Sequence, residues 1–423
     1  MFGLVVGALT ARYLGPSGKG TLSALTYLVA LAAPACALGL GEATQTLLGQ
    51  RRVTLQQATS GTIGVLLLST TLGILAFGGL VLTQFVGEIP GLRVAILAAA
   101  TTLPLITFVT VLAMLLESAG QVVFVAAVRV VIAAGTAAGT VLFLYGLDKA
   151  ITGALFAIAL AWGIGLGGLL LRLYQLKVRP LPRWDPCFLA EALPLGRPTQ
   201  LSYLVIVAST RVDLFFVRWL TGPDAAGYYS VALTVGQLST YAPIAISVAA
   251  FPVIAKANLA QARNFTQLLC RATVASALIT AVALGAAVPL VIPLAFGGEF
   301  QPAVEPALIL LVGGVLWGAQ WVACRSESAR GRPHVLLSSF GASLTAMVVL
   351  DLLLIPVAGV RGAAIASAAS PLAGLAVLFL SARGDSVVPA AASFLPRPAD
   401  ISLFLRSARR AFPQHPRPKG PPK

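Results

Sequence analysis

The sequence predicts an all-α polytopic membrane protein, and three observations carry that prediction. Hydrophobic residues make up 58% of the 423 and charged residues only 10%, whereas a soluble chain of this length carries about 25% charge. The mean hydropathy is +0.91. Apolar runs of bilayer-crossing length, about 20 residues, recur along the whole chain. The formal net charge is +15, from 29 Lys and Arg against 14 Asp and Glu. So basic a chain brings nucleic acid to mind. Cytoplasmic membrane loops also collect Lys and Arg, so no nucleic-acid partner is expected.

The apolar runs divide into about twelve helices, near 1–14, 20–48, 58–86, 93–117, 121–145, 151–176, 196–220, 225–255, 268–295, 307–328, 334–356 and 360–382. The first is too short to span. A turn at Gly222-Pro223-Asp224 closes the seventh: Pro pre-sets φ, Asp bonds its own backbone, and Gly227 adds freedom before the eighth. The loop from Lys177 to Leu193, with Pro180, Pro182 and Pro186, is basic and is expected to hold a short interfacial segment. In the tail after Arg383, Ile401, Phe404, Leu405, Ala408 and Phe412 share one helical face, with Arg406, Arg409 and Arg410 on others. That pattern suits a helix on an anionic leaflet; a disordered basic tail is the alternative.

The chain also repeats. ARYLGPSGKGTLSA, Ala11 to Ala24, aligns with VRWLTGPDAAGYYSV with one inserted residue, Thr221. Arg12 falls on Arg218, Gly15-Pro16 on Gly222-Pro223, Gly20 on Gly227 and Ser23 on Ser230. Further on, Pro34 answers Pro243, Glu117-Ser118-Ala119 answers Glu327-Ser328-Ala329, and Gly153-Ala154 answers Gly362-Ala363, all about 206 to 210 residues apart. Matches at a common spacing predict two related halves, a plan that recurs in membrane transporters. The expected divisions are a six-helix bundle over 1–176, a cytoplasmic linker over 177–195, a second six-helix bundle over 196–382, and a basic Pro-rich tail over 383–423, the two bundles being pseudo-symmetric. The repeat places Val5 opposite Arg211, so the first helix lacks an extension that the seventh has. The expectation is a native start upstream, or a fragment, against a natural short helix tolerated by bilayer thinning.

Sorting Lys and Arg sets the orientation. With a cytoplasmic N-terminus, Arg51, Arg52, the basic linker, Lys256, Arg263, Arg271, Arg325, Arg330, Arg332 and the tail fall inside. Arg12, Lys19, Arg93, Lys149 and Arg361 fall outside. The asymmetry puts both termini in the cytoplasm. No cleavable signal is evident, because Met1 leads straight into a helix without a basic flank.

Several segments carry a family resemblance: the GP-turn-Gly pattern after an Arg-aromatic-Leu end, RVDLFFV, AGYYSVA, FGGEFQPAVEPALILLVGG, ESARGRP and LLLIPVAGVRGAAIAS. In order and spacing, from about residue 8 to 382, the chain resembles the lipid-linked oligosaccharide flippases, which export O-antigen, teichoic-acid or capsule precursors. These belong to the multidrug/oligosaccharidyl-lipid/polysaccharide exporter superfamily. The resemblance implies two six-helix bundles around a central cavity and a bacterial inner-membrane location. It implies a cargo of undecaprenyl-diphosphate-linked oligosaccharide, contact with membrane lipids, and possible glycosyltransferase or polymerase partners. The lack of an extra helix pair argues against the peptidoglycan-precursor branch. A cation-coupled drug exporter on the same fold and a non-transporting scaffold of a polysaccharide synthase are the other readings.

Charge inside the apolar runs marks the candidate site. Arg211 falls mid-membrane, where Arg costs at least about 2.5–3.5 kcal/mol and so faces a cavity or a partner. Arg218 is seven residues on, on the same face of a continuous helix and about 10 Å along it. Together they read as a basic rail for a phosphate-bearing substrate, since the guanidinium fork binds phosphate oxygens bidentately; a structural ion pair and an interfacial Arg are the bland alternative. Asp213 points to another face, to pair with a further helix or to bind a coupling proton or cation. Arg129, in the fifth helix, would join the cavity from the first half. Glu42 and Asp351 read as interfacial, and Glu327 with Arg330 as a loop contact. Pro34 and Pro243 read as paired flex points for a rocking motion.

Other chemistry is not expected. Cys36, Cys187, Cys270 and Cys324 are scattered and histidine is limited to His334 and His415, so neither a metal site nor thiol catalysis is read. Gly163, Gly165 and Gly168 fit a dinucleotide fingerprint, but inside an apolar helix they read as close packing, as do Gly135 and Gly139. Asn264-Phe265-Thr266 fits a glycosylation triplet on the cytoplasmic side. No nucleophile–base set or nucleotide loop appears, so no enzyme activity and no cofactor are expected.

Overall fold

Gly15 and Gly359 adopt left-handed φ, 66° and 56°, inside otherwise continuous helix, a conformation that glycine adopts without steric cost. The chain folds back at both. Lys19 Nζ donates to Thr10 Oγ1 at 3.0 Å across the first break, and Gly362 presses on the Leu354 carbonyl across the second. The computed structural model describes residues 2–85, 92–147, 150–179, 181–381, 386–388 and 394. Among them every regular element is helical. Ten helices are long and apolar enough to cross a membrane. With the breaks at Gly15 and Gly359 they make the twelve segments of two six-helix groups.

The elements are α1 (Phe2–Ala37), α2 (Leu40–Gly49), α3 (Leu55–Phe85), α4 (Leu92–Ser118), α5 (Val122–Val141), α6 (Ala150–Gln175), α7 (Pro186–Ala208), α8 (Val212–Thr221), α9 (Pro223–Gly236), α10 (Tyr241–Lys256), α11 (Leu259–Phe296), α12 (Val304–Ala329) and α13 (Pro333–Ser381). Four runs expected to be continuous are broken inside. Leu38 (φ 51°) and Gly39 (φ 72°) separate α1 from α2, a turn at Ser209–Arg211 separates α7 from α8, a 3-10 turn at Gln237–Thr240 separates α9 from α10, and a π-turn at Leu142–Gly146 follows α5. Caps that bind the first amides of a helix move two starts earlier than hydropathy places them. Asp185 accepts from the amides of Cys187 and Phe188, both at 3.1 Å, with Pro186 in the first turn. Residues 186–195 of the expected linker are therefore the first turns of α7, and the short interfacial segment read there does not exist as a separate element. Asn258 and Gln261 form a capping box at the head of α11.

Loop contacts sort into two ends. At the basic end Arg52 pairs with Glu191 (3.2 Å), Gln56 donates to the Arg179 carbonyl (2.8 Å) and Arg330 to that of Ala257 (2.8 Å). The loop contact expected of Glu327 and Arg330 is made by the backbone, Arg330 N donating to the Glu327 carbonyl at 3.0 Å, and not by the side chains. Glu327 is buried, bonds Arg332 at 3.0 Å, and accepts from Ser386 Oγ (2.6 Å) and the amides of Val387 (2.7 Å) and Val388 (3.2 Å). At the opposite end Arg12 donates to the carbonyls of Leu294 and Ala295, and Arg361 pairs with Glu305 at 2.6 Å. The expected amphipathic segment at 401–412 lies outside the described residues.

Apolar clusters form mostly within each half, but Phe188, Leu189 and Ala192 of α7 join a cluster of α1, α2, α3 and α4, and residues before Gly15 cross over. Ala11, with Leu4 and Ala8, packs into the core built by Leu214, Tyr229, Phe296 and Phe300. Glycines bring the halves together at both ends. A methyl on Gly20 would strike the Pro223 carbonyl, and one on its repeat counterpart Gly227 would strike that of Pro16. At the basic end Gly39 and Gly196 touch each other's carbonyls in the same reciprocal way. Within the first half, Gly135, Gly139 and Gly165 lie against Ala161, Ala157 and Ile132 across α5 and α6. Gly163 has open space beside it and Gly168 only an ordinary contact at 3.8 Å, so the tight packing read for that motif is carried by Gly165.

Candidate functional site

Arg211 lies at the break between α7 and α8. Ser209 and Thr210 turn their hydroxyls back to the carbonyls of Ile206 (2.9 Å) and Val207 (3.0 Å), a local bond that competes with helix continuation. Arg211 then leaves helical geometry at φ −141°. Its guanidinium lies 4.4 Å from the centre of the Tyr27 ring on α1, a cation–π contact across the two halves. It also lines a cavity of about 330 Å³ walled by α7, α9, α10, α12 and α13. The second broken helix meets the same space, since Gln237 and Thr240 of the 3-10 turn line it. Irregular backbone at membrane depth is tolerated where it borders a cavity, and here two such breaks share one.

The walls are aromatic and hydroxylated: Tyr203, Tyr241, Trp317 and Trp321 stand with Gln237, Gln320, Ser343 and Ser367. Arg211 is the one charged residue among those that line it. This cavity belongs to the second half. Arg129 lines a separate cavity of about 480 Å³ in the first half, with Val6, Thr110, Thr136 and Trp162. There it pairs with Glu117 at 2.7 Å. The two arginines are not brought together.

Arg218 is also elsewhere. It is 9% exposed and donates to Thr21 Oγ1 at 3.2 Å. The break explains this: with Arg211 outside the helical part of α8, a seven-residue spacing no longer sets the two on one face. Asp213 is fully buried behind the cavity. It accepts from Tyr229 Oη at 2.6 Å and from the Leu214 amide at 2.8 Å, and the Ser367 hydroxyl also bonds it.

Asp351 corrects an expectation. It is not interfacial but 0% exposed, with no hydrogen-bond partner for either carboxylate oxygen among the described residues, and close enough to Asp213 for their charges to interact. Sequence position measures depth along a helix and not which neighbours surround it, so only the packing of α13 on α8 reveals the pair. No group of three or more His, Cys, Asp or Glu side chains suited to a metal ion occurs among the described residues.

Pro34 offers its carbonyl to Gln200 Nε2 of α7, four residues before the Leu38–Gly39 break. Pro243 sits just after the 3-10 turn, its ring against Gly318 of α12. Each is beside a break, on opposite sides of it. Sequence reasoning missed Tyr229, Ser367, Glu117 as the partner of Arg129, and the tryptophan pair. The repeat held a signal for one of these: Glu117 and Glu327 are counterparts, and each holds an arginine.

Residues 1–258 match the family described as "Polysaccharide biosynthesis protein". Among curated proteins none matches the chain. Among solved structures, the lipid II flippase MurJ in an inward closed conformation is 15% identical, with a TM-score of 0.73 over 97% of this chain and 89% of that one. An inward-facing multidrug resistance MATE transporter of the MOP superfamily is 15% identical, with a TM-score of 0.71 over 90% and 92%. The MATE multidrug transporter DinF-BH is 19% identical, with a TM-score of 0.64 over 91% and 92%. At these identities the likeness concerns the fold.

Proposed function

The chain belongs to the polysaccharide biosynthesis protein family, and we propose that it is a flippase carrying an undecaprenyl-diphosphate-linked oligosaccharide from the inner to the outer leaflet by alternating access. The observation that carries this reading is Arg211: a fixed positive charge at a helix break, alone among the residues lining its cavity in being charged. A guanidinium grips a diphosphate through paired N–H bonds and stays ionised in an apolar surround. The moving bodies are the bundles read at 1–176 and 196–382, with residues 186–195 moving as the first turns of α7, and both termini lie on the cytoplasmic side of a bacterial inner membrane. Pro34 and Pro243, each beside a break, serve as flex points. Arg129, paired with Glu117 in a cavity of the other half, is a secondary contact for the anionic cargo, whereas Arg218 closes the seam with α1 through Thr21. Glycosyltransferases or a polymerase are the partners this activity implies.

Asp213 and Asp351 supply the coupling. A buried carboxylate without a partner is too costly to persist as a bare anion, so a proton or a monovalent cation joins the pair, and its arrival or departure biases the packing of α13 on α8. The aromatic walls would also suit a small-molecule exporter, which is the second reading. An organic cation, however, would meet Arg211 and no carboxylate among the lining residues. The deciding experiment reconstitutes the protein in vesicles with a lipid-linked oligosaccharide and measures its transfer between leaflets. Transfer should be lost in Arg211→Ala at normal protein level. A well-folded Arg211→Ala that transfers at the wild-type rate, or a wild type that moves only organic cations, would overturn the reading.

A further inference from the structure

The cavity beside Arg211 is furnished beyond what a diphosphate needs. On α12, Trp317 and Trp321 are four residues apart and so share a face. Their rings stack in parallel, 5.2 Å between centroids and 10° between planes. Phe340 sets its edge against both, at 6.2 and 6.0 Å, and Trp321 Nε1 donates to Ser247 Oγ at 2.9 Å. The pair is held as a fixed stack, with the Arg325 guanidinium 5.9 Å from the Trp321 ring centre, so it offers an outer ring face and not two rings side by side. Beside it Gln320, fully buried, donates to Ser339 and Ser343, while its Oε1 accepts from nothing; Trp317 Nε1 likewise has no acceptor among the described residues. Buried polar groups are normally paired; Gln320 Oε1 and Trp317 Nε1 are closed to solvent in this form, and a turn of either side chain toward the cavity it lines would offer a ligand one acceptor and one donor.

Resting on the flippase reading, we infer that this cavity is a saccharide subsite: the Trp317–Trp321 stack presents an outer ring face to one sugar of the headgroup, Gln320 and Trp317 bond its hydroxyls, and Arg211 at the rim takes the diphosphate. A pyranose ring has an apolar C–H face that stacks on an aromatic plane and a rim of hydroxyls that each donate and accept. The volume, about 330 Å³, is at the small end of ligand pockets, enough for the one sugar joined to the diphosphate and not for a whole oligosaccharide. An isoprenoid tail would fit the aromatic walls but would leave Gln320 Oε1 unpaired. An organic cation would lack a counter-charge.

The test uses the full chain in nanodiscs and two kinds of probe measured by calorimetry: geranyl diphosphate alone, and geranyl diphosphate joined to glucose, galactose or N-acetylglucosamine. At least one sugar should tighten binding by about tenfold, the scale of one aromatic contact. Trp321→Ala should abolish that gain and leave the affinity for bare geranyl diphosphate unchanged; Trp321→Phe should keep most of it, and Gln320→Leu should reduce it. If bare geranyl diphosphate binds through Arg211 but no sugar improves it, the subsite is wrong and the flippase reading stands. Equal weakening of both probes by Trp321→Ala would make the tryptophan structural and also overturn the subsite. Failure of every probe to bind would remove both.

Discussion

Replacing Arg211 by lysine keeps the charge and removes the planar fork, so leaflet transfer should fall between wild type and Arg211→Ala. A structural role for the charge alone would make lysine equivalent to arginine. The acidic pair makes the opposite kind of prediction. Asp351 has no hydrogen-bond partner among the described residues to lose, so Asp351→Asn should leave the thermal midpoint in detergent unchanged or higher while transfer loses its dependence on the ion or proton gradient. Asp213→Asn should lower the midpoint, because it disturbs bonds from Tyr229 and the Leu214 amide. Arg211 and Asp213 were legible as charges in an apolar run. Asp351 and the tryptophans were not, since hydropathy averages over a helix and is blind to which of its faces meets which neighbour.

The elements were legible as apolar stretches but not in their interruptions. Gly15-Pro16 and Gly222-Pro223 announce themselves in the sequence. The turns at Ser209–Arg211 and Gln237–Thr240 do not, because serine and threonine interrupt a helix only where their hydroxyls fold back on it. The starts of α7 and α11 were readable from Asp185-Pro186 and from Asn258 with Gln261, had caps been weighed above hydropathy. At the basic end one buried carboxylate gathers α12, Arg332 and residues 386–388. Val387, fully buried, packs with Ala250, Ile254 and Ala262 of α10 and α11. Glu327→Ala would leave the Ser386 hydroxyl and the Val387 amide without their acceptor and remove one of two from the Val388 amide and Arg332, a loss of about 3 kcal/mol. The thermal midpoint should drop, and protease should cleave the chain near residue 386 faster than in wild type. Unchanged cleavage would mean that the strap is held by Val387 alone.

At the scale of the molecule, the repeat and the twelve segments were legible because a common spacing survives divergence elsewhere. The positions of the two cavities were not, since nothing in the sequence separates the surroundings of Arg129 from those of Arg211. The orientation argued from charge has a built-in reporter: Cys187 is exposed near the basic end while Cys36, Cys270 and Cys324 are buried. A membrane-impermeant maleimide should label Cys187 in inverted vesicles and not in intact cells; the reverse pattern would invert the topology. The reciprocal glycine contacts offer a further test. Gly20→Ala or Gly227→Ala should prop the halves apart at the end opposite the basic loops, and Gly196→Ala at the basic end. Cysteine pairs placed across each seam would report it by loss of cross-linking at that end only.

Both seams rely on the same device, a glycine pressed on a backbone carbonyl of the other half, so neither end can take an added methyl without parting. In an alternating carrier, a small difference in how tightly cargo or ion binds to the two open forms chooses between them. A single added carbon at one seam would act as a permanent thumb on that scale, turning a reversible carrier into one that waits facing a single side of the membrane.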